Sequence, residues 1–376
     1  MTAIPFNKPF MTGRELDYIR EAVESGKISG NGLFTRRCHE LMRRRFDFHA
    51  TLLTSSCTDA LEMAAILAGI GPGDEVIMPS YTFVSTANAF VLRGARIVFA
   101  DSEPGTPNMD CRQVEALITA RTRAIVPVHY AGVACDMDPL LELARQHDLL
   151  LIEDAAQAID AYYKGRPLGG IGALGAFSFH ETKNIISGEG GMLTVNEPSL
   201  SARAEIVWEK GTNRSAFWRG EVDKYGWVDI GSSFLPSDIT AAFLYAQLEQ
   251  LDAIQQQRRL LWERYRAALA PLGEQERVRL PHVPDYASNN AHMFYLVCRN
   301  LDERTGLIDH LKSQGIHAVF HYLSLHRSPY YAPHHDGREL PWCDHYADTL
   351  VRLPLFHELS LEQVDRIAAA IHDFYG

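Results

Sequence analysis

Residues 177–195 read FSFHETKNIISGEGGMLTV. Phe177 and Phe179 alternate with Ser178 and His180, the period-two pattern of a half-buried strand. Ser187, Gly188, Gly190 and Gly191 mark a tight turn or a close approach of backbones. Met192-Leu193-Thr194-Val195 then resumes an apolar strand. A single lysine, Lys183, is thereby set on a short connection between two core strands. Most lysines are solvated surface groups. One held here is partly desolvated, which lowers its pKa and makes its amine a nucleophile.

Working outward, strand-like segments recur at Thr51–Ser55, Glu75–Pro79, Arg96–Ala100, Ala124–His129, Leu149–Glu153, Ala176–His180 and Met192–Val195. Helical patterns separate the first five, at Thr58–Leu67, Ser85–Leu92, Cys111–Ala120 and Pro139–His147. That alternation predicts βαβ units and a largely parallel sheet covered by helices. Residues 210–235 change texture, being rich in glycine, aromatics and both signs of charge, and read as a long irregular stretch. A helix is expected from Ser237 to about Leu269, capped by Ser237 or Asp238. Beyond it the pattern gives a strand at His292–Val297, a helix at Arg304–Gln314, a strand at Ala318–Tyr322 and a helix at Leu361–Phe374. The expected class is α/β: a large α/β domain over residues 1–248, then a connecting helix and a small α+β domain over 249–376.

Composition narrows the function. The 376 residues are 46% hydrophobic and 22% charged, ordinary for a globular protein. The net charge of −11 argues against a nucleic-acid binder. The six cysteines, Cys38, Cys57, Cys111, Cys135, Cys298 and Cys343, form no C-x-x-C pair, which gives little support to a zinc site or a disulfide framework. They read as reduced, mostly packed thiols. No signal-peptide pattern and no apolar run of membrane-span length appear, so the expected location is the cytoplasm.

Several stretches carry site chemistry. Thr54-Ser55-Ser56-Cys57-Thr58-Asp59 follows a strand and opens a helix, where free N–H groups favour an anion; simple capping by Ser56 is the plainer reading. Ile152-Glu153-Asp154-Ala155-Ala156-Gln157 sets two carboxylates at a strand's C-terminal end, the edge where open α/β sheets bind ligands. A carboxylate buried there needs a cationic partner. Ser80-Tyr81-Thr82-Phe83 offers aromatics that flank a flat ligand or pack in the core. Gly170-Ile171-Gly172-Ala173-Leu174-Gly175 matches G-x-G-x-x-G, but a strand rather than a helix follows, so it is not a dinucleotide site. His334, His335 and Asp336 read as a solvated loop, and no metal site is expected. Together these stretches supply a phosphate cup, a strand-end acid, an aromatic face and an amine. That set suits pyridoxal phosphate held as a Schiff base.

The ordered motifs SSCTDALEMAA, PSYTFVSTANAF, EDAAQ, FSFHETKN…GEGG and SDITAAFLYAQLEQLD resemble the pyridoxal-phosphate-dependent sugar-nucleotide aminotransferases, from about Pro5 to the C-terminus. The resemblance implies the aspartate-aminotransferase-like architecture, fold type I, with a mainly parallel seven-stranded sheet. GRELDYIR, FTRRC, VHYAGVACDMD, EKGTNRS and AHMFYLV look most like the branch that makes dTDP-4-amino-4,6-dideoxygalactose for enterobacterial common antigen. It implies transamination of the C4 ketone of a dTDP-linked 4-keto-6-deoxysugar by L-glutamate, on a homodimer with shared sites. Another nucleotide-linked keto-deoxysugar, aminated at C4 or C3, is the alternative, and a non-catalytic sugar-nucleotide binder a more distant one.

Position by position, the resemblance makes Lys183 the Schiff-base lysine and proton carrier, and Asp154 the acid facing the pyridine nitrogen. Gln157 matches the residue beside the ring's phenolic oxygen, and Phe83 the aromatic stacked on the ring. Cys57, through its backbone N–H, matches the phosphate cup together with Thr58 and Ser178. Related sugar dehydratases carry histidine at the lysine position, and Lys183 separates the chain from them. Where many members have Gly-Tyr-Asn-Tyr-Arg, this chain has Gly231-Ser232-Ser233-Phe234-Leu235. Ser233 takes the place of the asparagine that reaches the neighbouring subunit's phosphate. Leu235 takes that of the arginine, so the donor's carboxylate must be held elsewhere. Arg214 and Arg219 are candidates for that carboxylate or a nucleotide phosphate, and His321 and Tyr322 for the sugar pocket.

Overall fold

The computed structural model describes residues 3–376. Seven strands form the main sheet: β1 (Ala50–Thr54), β2 (Glu75–Pro79), β3 (Arg96–Ala100), β4 (Thr122–Ile125), β5 (Leu150–Asp154), and, after the two-residue hairpin β6 (Tyr162–Tyr163) and β7 (Arg166–Pro167), β8 (Leu174–Ser178) and β9 (Gly191–Val195). Their order is β1-β9-β8-β5-β4-β2-β3. Every pairing is parallel except the two made by β9, which runs against β1 and β8.

Parallel strands are buried on both faces, and the side chains divide accordingly. Leu52, Val76, Met78, Ile97, Phe99 and Ile152 face a core shared with the helices Cys57–Leu67 and Val84–Val91. Their neighbours Leu53, Ile77, Val98 and Leu151 face the opposite core, built with Leu33–Phe46, Met137–Gln146 and Asp238–Glu249. The result is three layers, helices on each side of the sheet. Asp238 ties two of these helices. It accepts from the N–H groups of Phe34 (3.1 Å) and Thr35 (2.9 Å), capping Leu33–Phe46 from another element. Gly32 is required beside it, since a Cβ there would sit 2.3 Å from the Asp238 carboxyl carbon.

A second sheet of three antiparallel strands follows: β10 (Phe294–Val297), β11 (Val319–Phe320) and β12 (Leu350–Leu353), with β12 central. It packs with the helices Leu251–Glu274, Leu301–Ser313 and Leu361–Tyr375 in a third core. Ile4 joins that core and pairs with Ile316.

Several elements differ from expectation, among them β4, expected at Ala124–His129 and formed at Thr122–Ile125. Residues 111–120 form two short 3-10 turns, Cys111–Gln113 and Glu115–Leu117, rather than one helix. Asp110 caps the N–H of Arg112 (3.1 Å), Thr122 Oγ1 accepts from the N–H of Thr119 (2.9 Å), and Ile118 is extended; these local bonds compete with the helical ladder. The long helix is broken at Gln250 (φ −101°), whose N–H bonds Gln247 O (3.0 Å) in a tightened last turn; its second part runs on to Glu274. The stretch 210–235 is not wholly irregular, since it contains the helix Arg214–Trp218. Strand β12 and the helix Pro341–Thr349 lie where no element was expected. No helix among the described residues is long and apolar enough to cross a membrane.

Candidate active site

The C-terminal ends of β1, β2, β5 and β8 open on one cavity of about 1160 Å³, whose other wall comes from the small sheet and its loops. The topology explains its position, because ligands of open α/β sheets bind outside the carboxyl ends of the strands.

Lys183 lies on the loop from β8 to β9 and is half-buried in the cavity wall. Burial lowers its pKa to about 8; the nearby Arg352 guanidinium acts in the same direction, while Cys57 and Asp154 oppose it. The adjacent Asn184 anchors the loop. Its Nδ2 donates to Gln255 Oε1 (2.8 Å) and Asn290 O (2.9 Å), and its Oδ1 lies 2.8 Å from His292 Nδ1. An acceptor on that side fixes the proton on His292 Nδ1, and burial keeps the imidazole neutral by pushing its pKa well down.

Asp154 ends β5, 5% exposed, with Oδ2 accepting from Thr86 Oγ1 (2.7 Å) and Oδ1 from the N–H of Ala156 (3.1 Å). Burial raises its pKa, partly offset by those bonds and by the charge of Lys183. Gln157 has its Oε1 on the N–H of Ala131 (2.6 Å) and donates through Nε2 to the Tyr322 hydroxyl (3.0 Å). Tyr322 adopts a left-handed backbone (φ 52°), a strained conformation that its packing enforces. Its ring stacks on His321 at 3.5 Å and lies 6.1 Å from Phe83. Phe83 is 54% exposed, an apolar face turned to the cavity rather than packed in the core.

The helix Cys57–Leu67 points its start at the same space. Ser56 caps it by accepting from the N–H of Asp59 (3.1 Å). The N–H groups of Cys57 and Thr58, in the first turn, have no intrahelical acceptor and favour an anion. Gly191 makes room for this start: a Cβ there would lie 2.3 Å from Ser56 C and 2.4 Å from Cys57 N. Thr58 Oγ1 donates to Ser85 Oγ (2.8 Å), and Ser178 also lines the cavity. Capping and anion cup are therefore compatible readings of one turn.

Lys183, Asp154, Gln157, Phe83, Cys57, Thr58, Ser178, His321 and Tyr322 are thus brought to one cavity. Three candidates are not. Arg219 is exposed and held by Glu205 (2.9 Å) and Glu221 (2.7 Å). Arg214 is exposed at the start of its helix, and Ser233 is exposed as well; neither lines the cavity. The expected cationic partner for the neighbouring carboxylate is also replaced. Glu153, fully buried, accepts from the N–H groups of Gly169 (2.8 Å), Ile171 and Gly172 (both 2.7 Å) and from His129 Nε2 (3.0 Å). The glycine-rich stretch that mimicked a dinucleotide fingerprint cradles the chain's own carboxylate. Thr86, Ser85, His292, Asn184 and Arg352 were missed. Thr86 had a signal, lying three residues after Phe83 at a helix start facing the acid.

A cavity holding an amine, a buried acid, an exposed aromatic face and an open helix start fits a flat, phosphate-bearing pyridine aldehyde such as pyridoxal phosphate. Comparison with known proteins agrees. Residues 9–372 match the DegT/DnrJ/EryC1/StrS aminotransferase family. The GDP-perosamine synthase of Caulobacter vibrioides is 36% identical over 370 residues, covering 96% of each chain. The spore coat polysaccharide biosynthesis protein SpsC of Bacillus subtilis is 34% identical over 382 residues, covering 98% of this chain and 96% of that one. Among solved structures, Spr1654 of Streptococcus pneumoniae, known in a PLP form and a PMP form, superposes with a TM-score of 0.90 at 26% identity, covering 99% of this chain and 98% of that one.

Proposed function

The chain belongs to the DegT/DnrJ/EryC1/StrS aminotransferase family, and on that premise we propose that it aminates the C4 ketone of dTDP-4-dehydro-6-deoxy-D-glucose with L-glutamate, giving dTDP-4-amino-4,6-dideoxy-D-galactose and 2-oxoglutarate. It is a pyridoxal-phosphate-dependent sugar aminotransferase. One observation carries the assignment of the centre: Lys183, Asp154 and the open start of Cys57–Leu67 share a single cavity.

Bound pyridoxal phosphate supplies an electron sink that acidifies the carbon bearing the transferred nitrogen. The side chains do the rest. Lys183 Nζ would hold the cofactor covalently and, as the free amine, would carry the proton at the reacting carbon; its pKa of about 8, against 10.5 for an ordinary lysine, raises the share of free amine near neutral pH. Asp154 would pair with the ring nitrogen, whose positive charge would offset the burial that raises the carboxyl's pKa. Thr86 and the Ala156 N–H fix the carboxylate's orientation. Gln157 would serve the phenolic oxygen, Phe83 would cover one ring face, and the N–H groups of Cys57 and Thr58 with Ser178 would take the phosphate. His321 and Tyr322 line the sugar pocket. Ser233 acts across a homodimer, and the exposed Arg214 is kept for the nucleotide phosphates. Arg219 is dropped, because two carboxylates already satisfy it. The large domain is assigned to residues 1–248 and the small one to 249–376, in a cytoplasmic enzyme of polysaccharide biosynthesis.

A second reading, another nucleotide sugar, is favoured by the 36% identity to a GDP-perosamine synthase. The test is a visible absorption spectrum of the purified protein with pyridoxal phosphate, before and after L-glutamate. Bleaching of the cofactor band establishes cofactor and donor together. Amination of the dTDP keto-sugar in preference to its GDP counterpart supports the first reading, and the reverse preference the second. A bound cofactor indifferent to glutamate overturns the donor.

A further inference from the structure

The geometry points to Arg352 as the residue that binds a carboxylate of the amino donor. Leu235 leaves the chain without an arginine before its long helix, and neither Arg214 nor Arg219 lines the cavity. Three lysine or arginine side chains do line it: Lys183, Arg327 and Arg352. Lys183 is committed to the chemistry. Arg327 is largely exposed and paired with Asp344 at 3.3 Å. Arg352 stands apart from both.

Arg352 sits on β12, the central strand of the small sheet, between Tyr295 on β10 and Val319 on β11. The Phe6 ring backs its guanidinium at 4.9 Å. Among the described residues no carboxylate comes within 4.0 Å of it, and its Nε is buried without a hydrogen-bond partner. The groups that feel its charge are Tyr130, Tyr322 and Tyr81, with His292, His321, Lys183 and Arg258, none of them a carboxylate. A guanidinium with no anion in a half-buried pocket is costly. It is also a planar fork that matches a carboxylate through two hydrogen bonds. The small sheet holds that fork in the wall of the cavity that Lys183 and Asp154 also line. A donor carboxylate seated there places its amine in the same space.

This inference rests on the aminotransferase reading, and the experiment separates the two. Arg352→Gln and Arg352→Lys are made, and retention of the visible cofactor band confirms folding. For L-glutamate, single-turnover kcat/KM is expected to fall on the order of 100-fold in Arg352→Gln and about 10-fold in Arg352→Lys, through weakened binding. The half-reaction of the aminated cofactor with the keto-sugar is expected to change less than about 3-fold. Without turnover, calorimetric binding of succinate, an inert dicarboxylate, is expected in the wild type and lost in Arg352→Gln. Equal glutamate kinetics in all three proteins, or a defect confined to the nucleotide sugar, overturns the role of Arg352. A wild-type cofactor that no amino acid bleaches instead overturns the aminotransferase reading.

Discussion

At the residue scale, Lys183 makes a prediction opposite to that for an exposed lysine. Its pKa is lowered from 10.5 to about 8, so the free amine dominates above that pH. Capture of pyridoxal phosphate by cofactor-free protein needs the free amine. The capture rate, followed by growth of the visible band, should rise with pH, reach half its maximum near pH 8 and level off about one pH unit higher. A rate still climbing at pH 10 would mean that the lysine titrates as if solvated. Lys183→Ala should stay folded and lose turnover on the order of 1000-fold or more; near-normal turnover would remove the lysine from the mechanism. Lys183 and Asp154 were legible because each sits beside a strand end, where local pattern fixes position. Arg352 was not, because its significance depends on which acids are absent around it, and that is decided by the packing of two sheets.

At the scale of elements, the loop from Gly169 to Gly172 is a carboxylate cradle. Three N–H donors and His129 converge on Glu153. Glu153→Gln turns an amide NH₂ toward donors and leaves part of the cradle unsatisfied. A loss of about 2–4 kcal/mol is expected, read from the urea midpoint; an unchanged midpoint would mean that the cradle tolerates a neutral group. Gly191→Ala tests the neighbouring junction. Its Cβ would press on Ser56 and Cys57 and push β9 from the helix start. Pyridoxal phosphate affinity should fall about 10-fold or more, and retained affinity would show that the turn adjusts. The strands β1, β2, β3 and β5 were readable almost residue by residue because both faces are buried and their composition is uniform. The helix expected at 111–120 failed because side-chain-to-backbone bonds from Asp110 and Thr122 outbid the ladder. The G-x-G-x-x-G stretch has its N–H groups taken by Glu153, a carboxylate on the preceding main-sheet strand β5, a pairing that no local pattern signals.

For the whole molecule, the cavity is a joint product of two sheets that are themselves cross-tied. Ser80 after β2 meets His326 Nδ1 at 2.8 Å, and Asn184 meets His292. Neither tie could be read from the sequence, since each joins residues more than 100 positions apart. One side of the molecule remains unexplained by a single chain. Trp218, Trp227, Val228 and Ile230 are exposed close in sequence to Ser233, itself exposed and outside its own cavity. A second subunit would cover such aromatics and give Ser233 a phosphate to reach. Sedimentation should therefore show a species of twice 42.2 kDa. Ser233→Ala separates a shared site from a mere contact. Because the hydroxyl is exposed in its own chain, the urea midpoint should stay unchanged. If it donates across the interface, pyridoxal phosphate affinity should drop about 3- to 10-fold. A dimer whose cofactor affinity ignores Ser233 would keep the assembly and confine the phosphate site to one subunit.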